Sequence, residues 1–326
     1  MKNVLKYIGI AFIAVGLFSC GDDDTTPTVP PVVQPTIAEI VTVTPEYSSL
    51  LAALQKAGLA ETLNGEGNFT VFAPDNDAFG RLLTALGVTL EEVPDETLRQ
   101  ILLNHVIGAE AFAADLSTTY LETLATYGDT DAAINMYVNV SADGVKLNGM
   151  VDVTTPDLAD ASNGVIHAVS DVITLPTVVT FATADPTFET LVAALTREDL
   201  ATDFVGTLSN AEGMYTVFAP TNDAFGALLD EFSMTPGFEM ITSLAEIPVG
   251  TLDATLKMHA IAGANVRSNA LPDSATTLGG DISIDPTTAI ITDANGREST
   301  VVVADVQAAN GVVHVIDKVI LPQLAQ

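Results

Sequence analysis

The chain has 326 residues, enough for two domains of ordinary size, and 48% of them are apolar, which excludes wholesale disorder. Its formal net charge of −31 arises because 42 Asp and Glu are balanced by only 11 Lys and Arg. A surface of this charge repels phosphates, so we do not expect nucleic acid among the partners.

The amino terminus is expected to be an export signal. Within residues 1–19, Lys2 and Lys6 precede an apolar run at 7–18. This run is too short to span a bilayer, and the arrangement is typical of a signal peptide. The run ends in the letters LFSC, which resemble the lipobox of bacterial lipoproteins. Cys20 is the only cysteine, so it is either a lipid attachment point or a lone thiol. We expect residues 1–19 to be removed and Cys20 to be lipidated.

Residues 20–36 are expected to form a stalk. The letters GDDD follow Cys20, and an acidic run at this place resembles the surface-export signal of some Gram-negative lipoproteins, although a solvated spacer has the same composition. Four prolines then favour an extended polyproline conformation over a packed one. The expected location is the outer membrane, exposed at the cell surface, with the periplasmic face as the alternative.

The remainder of the chain contains one arrangement twice. The stretch TVFAPDNDAFGRLL (70–83) and the stretch TVFAPTNDAFGALL (216–229) differ at only two positions. All four histidines also fall into pairs at nearly the same spacing. We therefore predict a first domain at 37–176 and a second at 177–324, called the first and second copy below. About eight extra residues are expected in the second copy, within 231–247.

Each repeated stretch is predicted to be a short buried strand followed by a helix, and we call this junction a hinge. Aromatic and β-branched residues alternate up to an Ala-Pro pair that ends the strand. The next residue is a predicted N-cap, an acid follows in the first helical turn, and apolar residues recur at helical spacing. Structural roles are therefore predicted for the hinge residues Asp75, Asn76, Asp77, Thr221, Asn222 and Asp223.

Further helices are predicted on both sides of each hinge. Apolar residues recur at helical spacing in 47–59 and 186–200 before the hinges, and in 98–107 and 252–261 after them. The later pair of helices carries the first histidine of each copy.

Strands are predicted in the last part of each copy. Residues 136–149 alternate about Asp143-Gly144, a hairpin signal, and Asn295-Gly296 is the predicted equivalent turn. The closing segments 163–176 and 310–323 are apolar on both faces, which indicates a central, covered position. Helices followed by strands predict an α+β domain.

With the hinges, the helices that end in His and the closing segments, the chain resembles the fasciclin family, specifically two FAS1 domains in tandem. The resemblance implies a small wedge of β-sheets with helices packed along its edge. It also implies cell adhesion and the binding of extracellular matrix, polysaccharide or partner proteins. The family often has Tyr-His where this chain has Asn104-His105 and Met258-His259. That pair is linked to receptor binding in animal members, so the integrin function is not carried over.

No catalytic residue, metal site or cofactor is expected. The chain has no Gly-x-Ser-x-Gly, His-Glu-x-x-His or P-loop motif, and no thiol once Cys20 is acylated. No second histidine stands at metal-ligand spacing. We predict that the rings of the first histidine in each copy hydrogen-bond near the hinge Asn or Asp, because a buried imidazole without a partner is costly. Structural roles are thus predicted for His105, His167, His259 and His314.

The predicted function is a surface-anchored adhesion or binding module. Its expected partners are extracellular polysaccharide or matrix and cell-surface proteins, together with the membrane through the lipid anchor. Tandem copies favour binding, because linked weak sites raise avidity without new contacts. The alternative is an envelope hydrolase that recruits Ca²⁺ through an acidic face, although no stretch of the sequence matches the calcium-binding loop of an EF-hand.

Overall fold

The computed structural model describes residues 34–234 and 241–323. The predicted signal peptide, Cys20 and most of the predicted stalk lie outside the described residues, as does part of the predicted insertion at 231–247. The structure therefore bears on the two copies and not on the export signal or the lipid anchor.

The first copy places its helices before most of its strands. The helices are α1 (Ile37–Val43), α2 (Ser48–Lys56), α3 (Ala60–Asn64), α4 (Asn76–Leu86) and α5 (Asp95–Leu103). The strands are β1 (Phe69–Pro74), β2 (Val106–Ile107), β3 (Thr119–Thr126), β4 (Ala133–Ser141), β5 (Gly144–Leu147), β6 (Val151–Ala161) and β7 (Gly164–Val169). These strands close into a barrel in chain order, with β7 parallel to β1.

The second copy repeats this order. Its helices are α6 (Val178–Ala184), α7 (Glu189–Leu195), α8 (Phe204–Leu208), α9 (Asn222–Ser233) and α10 (Val249–Lys257). Its strands are β8 (Tyr215–Pro220), β9 (Ala260–Ala262), β10 (Ser274–Thr277), β11 (Gly280–Asp285), β12 (Ile290–Thr292), β13 (Glu298–Ala308) and β14 (Gly311–Ile316). Here the sheet stays open, with β10 at one edge and β9 at the other. The α+β class is therefore confirmed for both copies.

The closing strands are central, as their two-sided apolar pattern predicts. Strand β7 lies between β1 and β6, and β14 lies between β8 and β13. Each begins at a glycine, Gly164 or Gly311, with φ of 145° or 157°. A Cβ on either glycine would overlap the carbonyl oxygen of the residue paired with it, Phe69 or Tyr215. Only glycine therefore allows the hinge strand and the closing strand to approach this closely.

Two local predictions are wrong, one about where two helices end and one about which turns correspond. Helix α5 stops at Leu103 and α10 at Lys257, because the residues that follow the histidines pair with the hinge strands as β2 and β9. Asn295-Gly296 joins β12 to β13, the place that Asn148-Gly149 holds in the first copy. The counterpart of Asp143-Gly144 is the loop 286–289, because the second copy joins β11 to β12 through a longer connection.

None of the helices in the described parts of the chain is, by itself, long and apolar enough to cross a bilayer. One bent pair meets the length and composition test when Val178–Ala184 and Pro186–Leu195 are counted together, and these two segments meet at 94°.

Candidate functional site: hinges, histidines and the inter-copy contact

Both hinge helices begin at a side-chain cap. Asp75 Oδ1 accepts a hydrogen bond from Ala78 N at 2.8 Å, and Thr221 Oγ1 accepts one from Ala224 N at 3.2 Å. Each satisfies one of the main-chain N–H groups that the start of a helix leaves free. Asp77 and Asp223 lie in the first turns, where the positive end of the helix dipole favours a carboxylate.

The hinge asparagines connect two helices. Asn76 Oδ1 accepts from Ser49 N at 2.8 Å, and its Nδ2 donates to Pro45 O at 3.0 Å. Ser49 lies at the start of α2, and Pro45 lies in the 3-10 turn Pro45–Tyr47 that precedes it. The side chain therefore holds the hinge helix against the helix before it. In the second copy the matching residues are Asn222, Thr190 and Pro186.

The first histidine of each copy is buried and bonded to main chain through both ring nitrogens. His105 Nδ1 lies 2.7 Å from Ile101 O, and Nε2 accepts from Ile173 N at 2.8 Å. These partners place the proton on Nδ1. In the second copy the matching residues are His259, Thr255 and Ile320.

The prediction that these rings hydrogen-bond near the hinge Asn or Asp is therefore wrong. The ring of His105 faces the segment that follows the closing strand, and its main chain contacts the hinge strand instead, through Phe72 N to His105 O at 2.9 Å. Burial lowers the pKa of His105 and of His259 to about 4, and the bond from each ring to a carbonyl opposes that shift only in part. Both rings are neutral at pH 7.

The second histidine of each copy holds a bulge in the strand before it. His167 Nδ1 accepts from Asp157 N at 3.0 Å, and Nε2 lies 2.9 Å from Ala111 O. Asp157 has φ of 49°, in the left-handed region, where a non-glycine residue needs such support. The imidazole also stacks on the Phe72 ring at 5.4 Å. In the second copy the matching residues are His314, Asp305, Val266 and Phe218.

The structure thus brings each pair of histidines to one hinge phenylalanine, and every ring nitrogen has a main-chain partner. Within 34–234 and 241–323, no group of three or more His, Cys, Asp or Glu is arranged to hold a metal ion. Burial also lowers the pKa of His314, which disfavours its charged form. A chemical role for these rings would require them to leave bonds that hold the fold, and the structural roles predicted for them remain the simpler interpretation.

Two structural side chains that no motif had indicated, Asn163 and Asn310, precede the closing strands. Asn163 Oδ1 accepts from Ile37 N at 2.9 Å, and Nδ2 donates to Leu63 O and Gly65 O at 2.9 and 2.8 Å. One amide therefore ties α1 and α3 to the closing strand. Asn310 makes the same three bonds in the second copy. The Asn-Gly pair at the start of both closing segments was the available signal.

Side chains of the two copies meet at what we call the inter-copy contact. Tyr120 Oη donates to Asp185 Oδ2 at 2.8 Å, and Asn135 Oδ1 accepts from Gln307 N at 2.7 Å. The Tyr120 ring also meets Phe181 edge to face at 5.5 Å. Burial, followed by the charge of Asp185, raises the pKa of Tyr120. No motif marked these residues, because their partners lie more than 60 positions away along the chain.

Comparisons with known proteins identify one domain family. The Fasciclin domain model matches residues 45–176 and 186–322. Protein sll1483 of Synechocystis sp. is 38% identical over 143 residues, which are 43% of this chain and 74% of that protein. Pig transforming growth factor-beta-induced protein ig-h3 is 26% identical over 284 residues, and human periostin is 28% identical over 282. Each alignment covers 82% of this chain, but only 37% of the pig protein and 30% of periostin.

A solved structure shares the fold. It is a FAS1 domain pair from the insect cell adhesion molecule Fasciclin I, and it superimposes with a TM-score of 0.53 at 18% sequence identity. The match covers 86% of this chain and 97% of that one. Because the family model matches both copies, the chain belongs to the fasciclin domain family and carries two FAS1 domains in tandem.

Proposed function

We propose that this chain is a surface-anchored adhesion or binding module of the cell envelope that recognises extracellular matrix, polysaccharide or partner proteins. The observation that carries the proposal is the inter-copy contact, through which two FAS1 domains are presented together. Family membership supports it, since the structural neighbour is part of a cell adhesion molecule.

The inter-copy contact limits how the two copies move against each other. Only residues 170–177 separate β7 from α6. Tyr137 of the first copy is 3% exposed and packs in the hydrophobic core of the second, beside the Tyr120–Asp185 bond. Burial is the main cause that raises the pKa of Tyr137 to about 12, and the charge of Asp185 acts in the same direction. Two weak sites held at a fixed spacing engage a repetitive surface with greater avidity than either alone.

Charge narrows the expected partners. The net charge of −31 disfavours polyanionic glycans and anionic membranes, whose own charges would repel the chain. We therefore expect a neutral or basic partner, or an anionic one only in the presence of divalent cations. We further propose that Cys20 carries the lipid that holds the module at the outer membrane, where several acyl chains give stable anchoring.

The test is a binding screen of the mature chain displayed on a Gram-negative host. Neutral, basic and anionic polysaccharides and matrix proteins are compared, with and without Ca²⁺. Cys20→Ser removes the lipidation site, so display should be lost while the chain is still made. Display that survives this change argues against the anchor, and the absence of binding to every class argues against the module.

Bivalent binding is tested by loosening the inter-copy contact. Tyr120→Ala is expected to weaken binding to an immobilised, repetitive ligand by at least about tenfold and to leave binding of a soluble single-site ligand unchanged. The matched control is Tyr127→Ala, just beyond the other end of β3, which should preserve avidity. Equal losses in both variants would show that the inter-copy contact has no part in binding.

No observation on the described residues favours the alternative of a Ca²⁺-recruiting hydrolase. His105→Ala separates the two ideas, because a structural histidine predicts a lower melting temperature with ligand binding intact. Turnover of any envelope polymer that a single substitution abolishes, without a change in melting temperature, would favour the enzyme.

A further inference from the structure

The second copy contains an apolar cavity with a volume of about 100 Å³ between α6, α7, α8 and β8. Its inner wall includes Val178, Ala260 and Val313, which are at most 3% exposed. Its outer lining includes Thr183 and Val205, which are exposed. The cavity therefore extends from the core of the domain to its surface.

The cavity offers water few hydrogen-bond partners. The ring of His259 is the most polar group in its inner wall, and both ring nitrogens are already bonded to main chain. The hydroxyl groups of Thr183 and Thr196, in its outer lining, are bonded to carbonyl oxygens of their own helices. A buried water needs two to four polar partners, and apolar cavities of similar size stay dry and take up benzene or xenon.

Strand pairing shows which side chains are smaller here than in the first copy. In each copy one valine of the hinge strand, Val71 or Val217, pairs with one residue on each of the two adjacent strands. These neighbours are Val106 and Ile166 in the first copy, but Ala260 and Val313 in the second. The second copy therefore has three fewer carbon atoms at this part of the wall.

The first helices of the two copies also differ in the size of the side chains that line this space. The asparagine before the closing strand accepts from Ile37 N in the first copy and from Val178 N in the second, so these two positions correspond. Four residues further along, Ala182 stands where the first copy has Val41. The first helix of the second copy is therefore smaller at Val178 and Ala182 and larger at Val179, which stands where the first copy has Ala38. Leu63 and Leu208 accept equivalent bonds from the two asparagines, so Phe204 corresponds to Leu59 and returns some bulk to the inner wall.

We propose that this cavity binds a hydrocarbon group of a few carbon atoms, either a small apolar molecule or the end of an alkyl chain. Apolar contact is the recognition that the lining offers, and an unfilled cavity loses dispersion contacts that such a group restores. The site is distinct from the adhesive function proposed above, because it lies within one copy and has room for a small group only.

Methyl NMR of the full mature chain tests the proposal with two probes, benzene for a free molecule and decanoate for a chain end. The methyl signals of Ala260 and Val313 are expected to shift in a saturable way with one probe or both, and the melting temperature to rise with probe concentration. Saturation by benzene alone indicates a small-molecule site, and saturation by decanoate alone indicates a chain-end site. The absence of saturable shifts at both methyl groups would overturn the proposal.

The first copy supplies the filling variant. Ala260→Val combined with Val313→Ile installs the side chains of Val106 and Ile166, and should weaken probe binding by at least about tenfold without lowering the melting temperature of the free protein. Ala260→Val alone serves the same purpose if the double variant folds poorly. Unchanged probe affinity in the filled variant would place binding elsewhere and contradict the proposal.

Discussion

The two copies share the bonds that their caps, histidines and asparagines make to the main chain, and they differ in their ion pairs. In the first copy Arg81 reaches from α4 to Asp171 at 2.8 Å, and both side chains are about half exposed. In the second copy Arg297, with a side chain 15% exposed, binds Glu231 at 2.7 Å and Asp293 at 3.1 Å. The Asp293 side chain is 1% exposed. The Arg81 pair therefore lies at the surface, whereas Arg297 is largely buried between the buried carboxylate of Asp293 and the half-exposed carboxylate of Glu231.

The difference indicates which features a duplicated domain keeps. The caps, the histidine rings and the asparagines before the closing strands recur because buried N–H and C=O groups need partners whatever the neighbouring side chains are. Ion pairs and core side chains can be replaced by other residues that stabilise the same fold, so they diverge between the copies. The sheet edge diverges too, since β2 pairs with β3 through Ile107 and Thr123, whereas β9 and β10 are the two edges of an open sheet.

The greatest loss of stability is predicted for substitutions at a feature that both copies share. Gly164→Ala and Gly311→Ala should each lower the free energy of unfolding by at least about 4 kcal/mol, because the new Cβ overlaps a paired carbonyl at a φ that disfavours L residues. Urea unfolding measures the loss. The matched controls are Gly80→Ala and Gly226→Ala, at open positions in the hinge helices, which should stabilise by about 0.5–1 kcal/mol. A small loss at either closing strand would contradict the shared geometry.

The next effect tests the divergent ion pairs. Arg297→Ala should destabilise by about 3–5 kcal/mol, because it leaves the buried Asp293 carboxylate without its cation. Arg81→Ala should cost less than about 1 kcal/mol, since its pair with Asp171 is solvated. Chemical unfolding in low and high salt measures both. Similar losses in the two variants would remove the contrast between the copies.

The smallest loss per residue is expected on acidification. The pKa of His105 and of His259 is about 4 in the folded chain and about 6.5 when unfolded, so the unfolded state binds more protons between these values. The contribution of each histidine to the free energy of unfolding is fully present above pH 6.5. About 3 kcal/mol of it is lost for each histidine as the pH falls toward 4. The unfolding free energy at a series of pH values measures the slope.

Gln variants check the source of that slope. His105→Gln and His259→Gln should each remove a similar share of the pH dependence between 6.5 and 4, because the two rings have equivalent partners. His314, whose pKa burial also lowers, adds to the same window. A slope that neither variant changes would show that these rings do not carry it.

Local features of the candidate site were predictable. A cap such as Asp75 acts on a group three residues away, and the two-sided apolar pattern of the closing segments requires a covered strand, so neighbours in sequence suffice for both. The helix ends were less predictable. Val106 continues a helical pattern, but it is also β-branched, and only the nearby hinge strand makes pairing the better outcome.

Short-range patterns suffice to show that a domain is repeated, where its strand-to-helix hinges lie and which family the chain resembles. The partners of the imidazoles, the inter-copy contact and the cavity of the second copy depend on tertiary packing. His105 finds Ile173 68 positions away, and Asn135 finds Gln307 172 positions away. Such pairs form only when packing brings distant segments together, and no local periodicity encodes that distance.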